Sequence, residues 1–222
     1  MSNGNPMIVS VIVDNESWIL PYAQKLVNWC STQGLSAVLC RTHDEVPKGD
    51  VAFYIGCTRI TPPEVLQKNK YNLVVHESAL PQGRGFAPMA WQILEGQNEI
   101  PVCLIEAAPG EADSGAIYQK GIIALKGHEL CPEWRSKQGD MTIELCQRFI
   151  SSFPPEAGVP QKGTPSSYPR RRPADSQLDV NKTIAEQFDL LRIVDNDRYP
   201  AHFEYRGHRY ILKIEKDDTR PL

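Results

Sequence analysis

From Met7 to Phe153, short apolar, β-branched runs alternate with segments of helical spacing, and this alternation constrains the fold more than any other feature of the chain. Met7 to Val13 reads as a buried strand, interrupted by Asp14, Asn15 and Glu16. Ser17 to Trp29 carries apolar residues at helical spacing, with Gly34 as a stop. Leu35 to Cys40 and Val51 to Ile55 read as strands, and Pro62 and Pro63 open a short helix through Gln67, since proline is tolerated in a first turn. Leu73-Val74-Val75 leads directly into His76. Phe86 to Leu94 reads as a helix closed by Gly96, Val102 to Ile105 and Ile117 to Leu125 as strands, and Met141 to Phe153 as a helix. The pattern predicts the α/β class, with a Rossmann-like, doubly wound, mostly parallel sheet. Ligands bind such sheets outside the carboxyl ends of the strands, and His76 stands at one of those ends.

Composition changes after Phe153. Residues 154–169 are rich in Pro, Gly and Ser and read as a connector over the surface. The chain therefore divides into a main domain over 1–153, a connector over 154–169 and a small C-terminal subdomain over 170–222. In the last part, Lys182 to Arg192 looks helical, with Ile184, Phe188 and Leu191 on one face. Phe203 to Tyr205 and Tyr210 to Ile214 alternate around Gly207, which is a β-hairpin signal.

The net charge of −3 argues against bulk electrostatic attraction to nucleic acid. No apolar run approaches the roughly 20 residues that span a membrane, and Met1 to Met7 lacks the charged-then-apolar layout of a leader. The expectation is a cytoplasmic protein with no membrane and no nucleic-acid partner. The six cysteines form no C-x-x-C pair and the five histidines are scattered, so reduced, inert thiols and no metal are expected.

The chemistry gathers around His76. A loop rich in proline and glycine follows it, with Pro81, Gly83, Gly85 and Pro88 fixing an irregular backbone whose polar groups cannot all pair within a sheet. Such a loop can offer donors and acceptors to a flat heteroaromatic ligand. Arg84 reads either as a surface charge or as a fork for a carboxylate or the loop's own carbonyls. Asp113, in Gly110-Glu111-Ala112-Asp113-Ser114-Gly115, reads either as a turn residue or as a carboxylate that orients His76, with Glu111 as its competitor.

The wording His76-Glu77-Ser78-Ala79-Leu80-Pro81-Gln82-Gly83-Arg84-Gly85-Phe86-Ala87-Pro88, followed by Asp113-Ser114-Gly115, resembles the signature of formyltransferases that use N10-formyltetrahydrofolate. The similarity continues in Tyr168 to Asp175 and in the terminal segment, and covers well over half of the chain. The resemblance implies the formyltransferase fold, N10-formyltetrahydrofolate as formyl donor, and His76 and Asp113 as the catalytic pair. His76 would accept the amine proton and Asp113 would hold the imidazole. It also implies Ser78, Leu80, Pro81, Arg84, Gly85, Pro88 and Ala112 as donor-binding residues. The family's N-x-H carries an asparagine two residues before the histidine, placed for the formyl oxygen, where this chain has Val74. Ser78, a loop N–H, protonated His76 or an ordered water are candidates for the missing donor.

Three acceptors are typical of the family: methionyl-tRNA, glycinamide ribonucleotide and nucleotide-linked amino sugars. The tRNA enzymes carry an additional C-terminal barrel, for which residues 170–222 are too few, and the glycinamide enzymes usually end near the core. The resemblance therefore points to the sugar N-formyltransferase branch, of the type associated with pseudaminic-acid-like sugars in glycan biosynthesis. Arg59, Arg171 and Arg172 are candidate diphosphate partners, and the short tail would complete the substrate site or a homodimer interface. A non-catalytic folate or nucleotide-sugar binding relative is the alternative.

Overall fold

The structure, a computed structural model, describes residues 6–217. The N-terminal stretch read above for a leader begins with residues 1–5, which lie outside those described. Along the chain run β1 (Ile8–Ile12), α1 (Leu20–Thr32), β2 (Ser36–Cys40), β3 (Gly49–Tyr54), α2 (Pro63–Leu66), β4 (Asn69–His76), β5 (Arg84–Gly85), α3 (Pro88–Leu94), β6 (Glu99–Glu106) and β7 (Ile117–Ala124). They continue with α4 (Cys131–Ser151), β8 (Ser167–Tyr168), α5 (Phe188–Ile193), β9 (Ala201–Tyr205) and β10 (His208–Leu212).

Six strands form the central sheet in the order β2-β1-β3-β4-β6-β7. The β1–β2, β1–β3 and β3–β4 pairs are parallel, whereas β4–β6 and β6–β7 are antiparallel. The mostly parallel, doubly wound reading is correct for the first four strands in space. Both faces of β1 and β3 are covered, which is why they read as continuous apolar runs rather than alternating ones. Val9, Val11, Phe53 and Leu73 pack in a large core with Leu26 and Cys30 of α1 and Leu145, Cys146 and Phe149 of α4. Ile12, Ala52 and Tyr54 point the other way, onto Val65 and Leu66 of α2.

Two helices differ from their sequence reading. Helix α4 begins at Cys131, ten residues before the segment predicted from Met141. Its first turns carry charges and Gly139, which disguise the apolar stripe. Gly139 is there for contact: a Cβ at that position would come within 2.5 Å of the Tyr22 ring on α1. The helix predicted over Lys182 to Arg192 is instead a 3₁₀ turn over Ala185–Gln187 followed by the short α5. Ile184 is 71% exposed and has no core to face. The Gln187 amide donates to the carbonyls of Asp179 and Lys182, and Glu186 accepts from the Thr183 N–H, so local side-chain bonds hold this stretch as a loop.

The connector is not a loose strap. Ser167–Tyr168 pairs with Arg84–Gly85 in a two-stranded sheet, and Val159 bridges Ile117. The terminal hairpin turns at Arg206 and Gly207, both at positive φ, 50° and 79°, as the right-handed twist of a two-residue hairpin requires. It packs through Ala201 and Leu212 on Leu191 and Val194 in a small core of its own.

Among the described residues, no helix is long and apolar enough to cross a membrane. Nor does any group of three His, Cys, Asp or Glu side chains there lie close enough together to hold a metal ion. The six cysteines are unpaired. Burial pushes the thiols of Cys30, Cys40 and Cys131 up to about 11 and that of Cys57 to about 12, which removes the thiolate that reactivity needs.

Candidate active site

His76 ends β4, at the carboxyl edge of the parallel strands and next to the point where the sheet turns antiparallel. Its ring is buried. Nε2 lies 2.8 Å from the Gly83 carbonyl oxygen, and Nδ1 lies 3.5 Å from Asp113 Oδ1. Both neighbours are acceptors. A neutral imidazole carries one N–H and can serve only one of them, which leaves the lone pair of the other nitrogen facing an acceptor.

Asp113 is positioned by backbone geometry. It adopts φ 57°, the left-handed region, in the turn between β6 and β7. Such strain in a non-glycine residue persists where surrounding structure over-determines it. Here Oδ2 accepts the Gly85 N–H at 2.9 Å, and the Asp113 carbonyl accepts from Gln161 Nε2 at 2.7 Å. Gly115 closes the turn where nothing larger fits, since a Cβ there would lie 1.9 Å from the Glu106 carbonyl oxygen. Glu111, the competing carboxylate, faces elsewhere: it pairs with Arg84 Nη1 at 2.9 Å.

Arg84 therefore acts as a fork. One arm takes Glu111 and the other donates to Gln161 Oε1 at 2.9 Å, tying the 81–88 loop to the Asp113 turn and to the connector. Gly85 lies flat against Tyr168, whose carbonyl oxygen would be 2.5 Å from any Cβ. Leu80 and Pro88 are buried, Pro88 in the first turn of α3. Pro81 accepts the Ser166 N–H at its carbonyl. Ser78 is 2% exposed, and its hydroxyl has no partner among the described residues. It lies under Gly83, where an added Cβ would meet Ser78 Cβ at 3.0 Å. An orphaned buried hydroxyl beside the loop suits a ligand that completes its hydrogen bonds.

The remaining sequence candidates scatter. Ala112 is exposed in the turn. Arg59 is exposed, its N–H donated to Asp14 Oδ2 at 2.9 Å. Asp14 also accepts from Asn15 and the Thr58 N–H; burial works to raise its carboxyl, but these bonds outweigh it and hold it below its usual value. Arg171 Nη2 donates to the Asp175 carbonyl and Ser176 Oγ, so its guanidinium is committed inside the C-terminal segment, whereas Arg172 is exposed.

Four residues that the sequence reading left out belong to this framework: Gln161, Tyr168, Glu77 and Gln138. Gln138 Nε2 of α4 donates to Glu77 Oε1 at 2.7 Å, and Gln92 Nε2 of α3 donates to the Glu77 carbonyl at 2.5 Å. Burial pushes the Glu77 carboxyl up, against the pull of His76 and the Gln138 amide. The position of Glu77 inside the H-x-S wording was the one signal pointing to it. One turn back along α4, Arg135 lines a cavity of about 700 Å³ with Trp18, Tyr22 and the C-terminal segment. Its three cations are each paired with a carboxylate: Arg135 with Asp195, Lys213 with Asp197 and Lys216 with Glu133.

Val74 lies on the same strand face as His76, because side chains repeat every second residue. It packs against Leu80, Cys103, Ile105 and Ile117. An asparagine there would place an amide among apolar neighbours at a cost of about 1–3 kcal/mol. Val74→Asn is expected to lower the melting temperature and to leave kcat unchanged or reduced. A tenfold rise in kcat at unchanged stability would show instead that the wild-type site lacks a donor.

Residues 36–130 match the family described as formyl transferase. That match and the structural likenesses below place the fold among those of formyltransferases. The structure resembles that of a methionyl-tRNA formyltransferase from Clostridium thermocellum at TM-score 0.80 and 19% identity, covering 96% of this chain and 94% of that one. A sugar N-formyltransferase from Shewanella sp. matches at TM-score 0.69 and 15% identity, over 95% of this chain and 98% of that one. HypX from Aquifex aeolicus in complex with tetrahydrofolic acid matches at TM-score 0.73 and 17% identity, over 94% of this chain but 37% of that one.

Proposed function

We propose that this protein transfers the formyl group of N10-formyltetrahydrofolate to the amino group of a nucleotide-linked amino sugar in the cytoplasm, for glycan biosynthesis. The observation that carries the reading is the His76–Asp113 pair at the carboxyl edge of β4, roofed by the 81–88 loop and lying within the matched family segment. The tetrahydrofolate complex of HypX supports the donor, and the Shewanella enzyme supports the acceptor class. The loop around Pro81 to Pro88 and the Asp113 turn would receive the pterin, with Ser78 and the loop N–H groups as donors. Of the three arginines that the sequence singled out, Arg59 and Arg172 are exposed and would meet a diphosphate.

Methionyl-tRNA is the second reading, favoured by the Clostridium thermocellum structure. The net charge of −3 weighs against it, because tRNA binding draws most of its affinity from phosphate neutralisation.

The test is formyl transfer from N10-formyltetrahydrofolate to UDP-, GDP-, dTDP- and CMP-linked amino sugars, with methionyl-tRNA and glycinamide ribonucleotide as competitors, followed by mass spectrometry. Formamide on a nucleotide sugar is the expected product. Formylated methionyl-tRNA would move the protein to the second reading. Tetrahydrofolate binding without any turnover would make it a non-catalytic binding relative.

A further inference from the structure

Asp113 stands at φ 57°, a backbone that a non-glycine residue keeps only where its surroundings fix it, and residues 109–112 before it are exposed. The fixing comes from the connector. Gln161 Nε2 donates to the carbonyl oxygens of both Asp113 and Gly115, at 2.7 and 2.9 Å, so one amide holds the backbone on either side of Ser114. Gln161 Oε1 accepts from Arg84 Nη2 at 2.9 Å, which brings the 81–88 loop into the same frame. From Val159 to Ser167 every other residue is exposed, and Gln161 alone is half-buried. Its residue type is specific as well. The two carbonyls can only accept and the guanidinium can only donate, so the side chain between them needs both a donor and an acceptor end. Glutamate could serve Arg84 but not the carbonyls, and lysine the carbonyls but not Arg84.

We propose that Gln161 is a positioning residue of the formyl transfer: from the connector, it holds the Asp113 turn so that the carboxylate faces His76; this rests on the formyl-transfer reading. The carboxylate spans two groups, with Oδ2 on the Gly85 N–H at 2.9 Å and Oδ1 3.5 Å from His76 Nδ1. The second distance already exceeds the usual hydrogen-bond range, so a small rotation of the turn separates the pair. Without the Gln161 amide, the Asp113 and Gly115 carbonyls turn to water and the backbone can leave the left-handed region. His76 then loses the group that orients it. A displacement of ~1 Å at a reacting group can cost ~10²-fold in rate. The hydrogen bonds of the Gln161 side chain go to the turn and to Arg84, so the effect falls on kcat rather than on acceptor binding.

The experiment compares wild type with Gln161→Leu and Gln161→Glu, using N10-formyltetrahydrofolate and the nucleotide-linked amino sugar that wild type formylates fastest, and follows the His76 ring nitrogens by NMR. Gln161→Leu removes every bond of the amide. Gln161→Glu keeps the acceptor for Arg84 and removes only the donors to the turn; being nearly isosteric, it also guards against a misfolded Gln161→Leu. Both should lower kcat by ~10–100-fold, leave the acceptor KM within threefold and melt close to wild type. The His76 nitrogen resonances should move in both, in the direction they move in Asp113→Asn, a change that a merely structural tie would not produce. A kcat within threefold of wild type in both variants, His76 resonances that stay in place, or a loss confined to KM overturns the role of Gln161 and leaves formyl transfer standing. A fast Gln161→Glu beside a slow Gln161→Leu would assign the effect to Arg84 and overturns it as well. Wild type that formylates nothing in the panel overturns the formyl-transfer reading; the resonance comparison needs no turnover and still decides whether Gln161 holds Asp113 against His76.

Discussion

Replacing His76 with asparagine is expected to reduce kcat by ~10²–10³, the range seen when a group stabilising a developing oxyanion is lost, while the protein stays folded. The ring is buried between the Gly83 carbonyl and Asp113, and it joins the end of β4 to both the loop and the turn that would enclose the donor. Asparagine is shorter than imidazole and can keep one of these two contacts at most. It also cannot carry positive charge beside Asp113, so the site would lose its means of stabilising negative charge on the formyl oxygen. The measurement is steady-state kcat across pH together with a thermal melt. Wild-type kcat at every pH would remove His76 from the chemistry. A collapse of the melt would instead assign the residue to the fold.

The largest loss of stability is expected from Arg192→Ala. Arg192 is 1% exposed, and it joins the C-terminal segment to the main domain. Nε donates to the Glu129 carbonyl at 3.3 Å, Nη1 to Asp189 at 2.8 Å and Nη2 to Asn98 at 3.1 Å; the Glu129 carboxylate lies 3.8 Å away. Removing one partner of a buried charge cluster costs about 3–5 kcal/mol, because the other charge is left without compensation. For a domain of this size that corresponds to a fall in melting temperature of roughly 6–20 °C. A fall under ~2 °C would show that water replaces the guanidinium at little cost. Burial works to raise the Glu129 carboxyl, but the N–H groups around Lys126 and the Lys137 ammonium outweigh it and hold it at about 2. That is below its unfolded value, so its stabilisation is present above the ordinary carboxylate range of about 4.3. It is lost as pH falls from there through about 2.

Local patterns in the chain were enough to locate most of the sheet. Val9, Val11, Val51 and Phe53 sit in short β-branched runs because their strands are buried on both faces, and such runs announce themselves without partners. The edge-to-centre order of the strands was not legible, nor was the reversal at β6, since parallel and antiparallel neighbours use the same residue types. The first turns of α4 were hidden because charged residues and Gly139 interrupt the apolar stripe. In the fold Gly139 is the place where α1 and α4 touch through Tyr22. Ile184 misled in the opposite direction: helical spacing implies a face, but only tertiary packing supplies something for that face to cover.

The same division runs through the site. His76, the loop that follows it and Asp113 are determined by sequence, because each depends on local chemistry: a strand end, glycines and prolines that set an irregular backbone, and a turn that tolerates positive φ. Which atoms meet was decided by tertiary structure. Asp113 was separated from Glu111 by the path of Arg84, and the connector became part of the framework through Gln161 and Tyr168, 48 and 83 residues from the groups they touch. Glu77 was legible as a letter between His76 and Ser78, yet its partner Gln138 lies 61 residues away on another helix. Hydrogen bonds and ion pairs act over a few ångströms, and a sequence carries no record of which distant side chains the fold will bring that close.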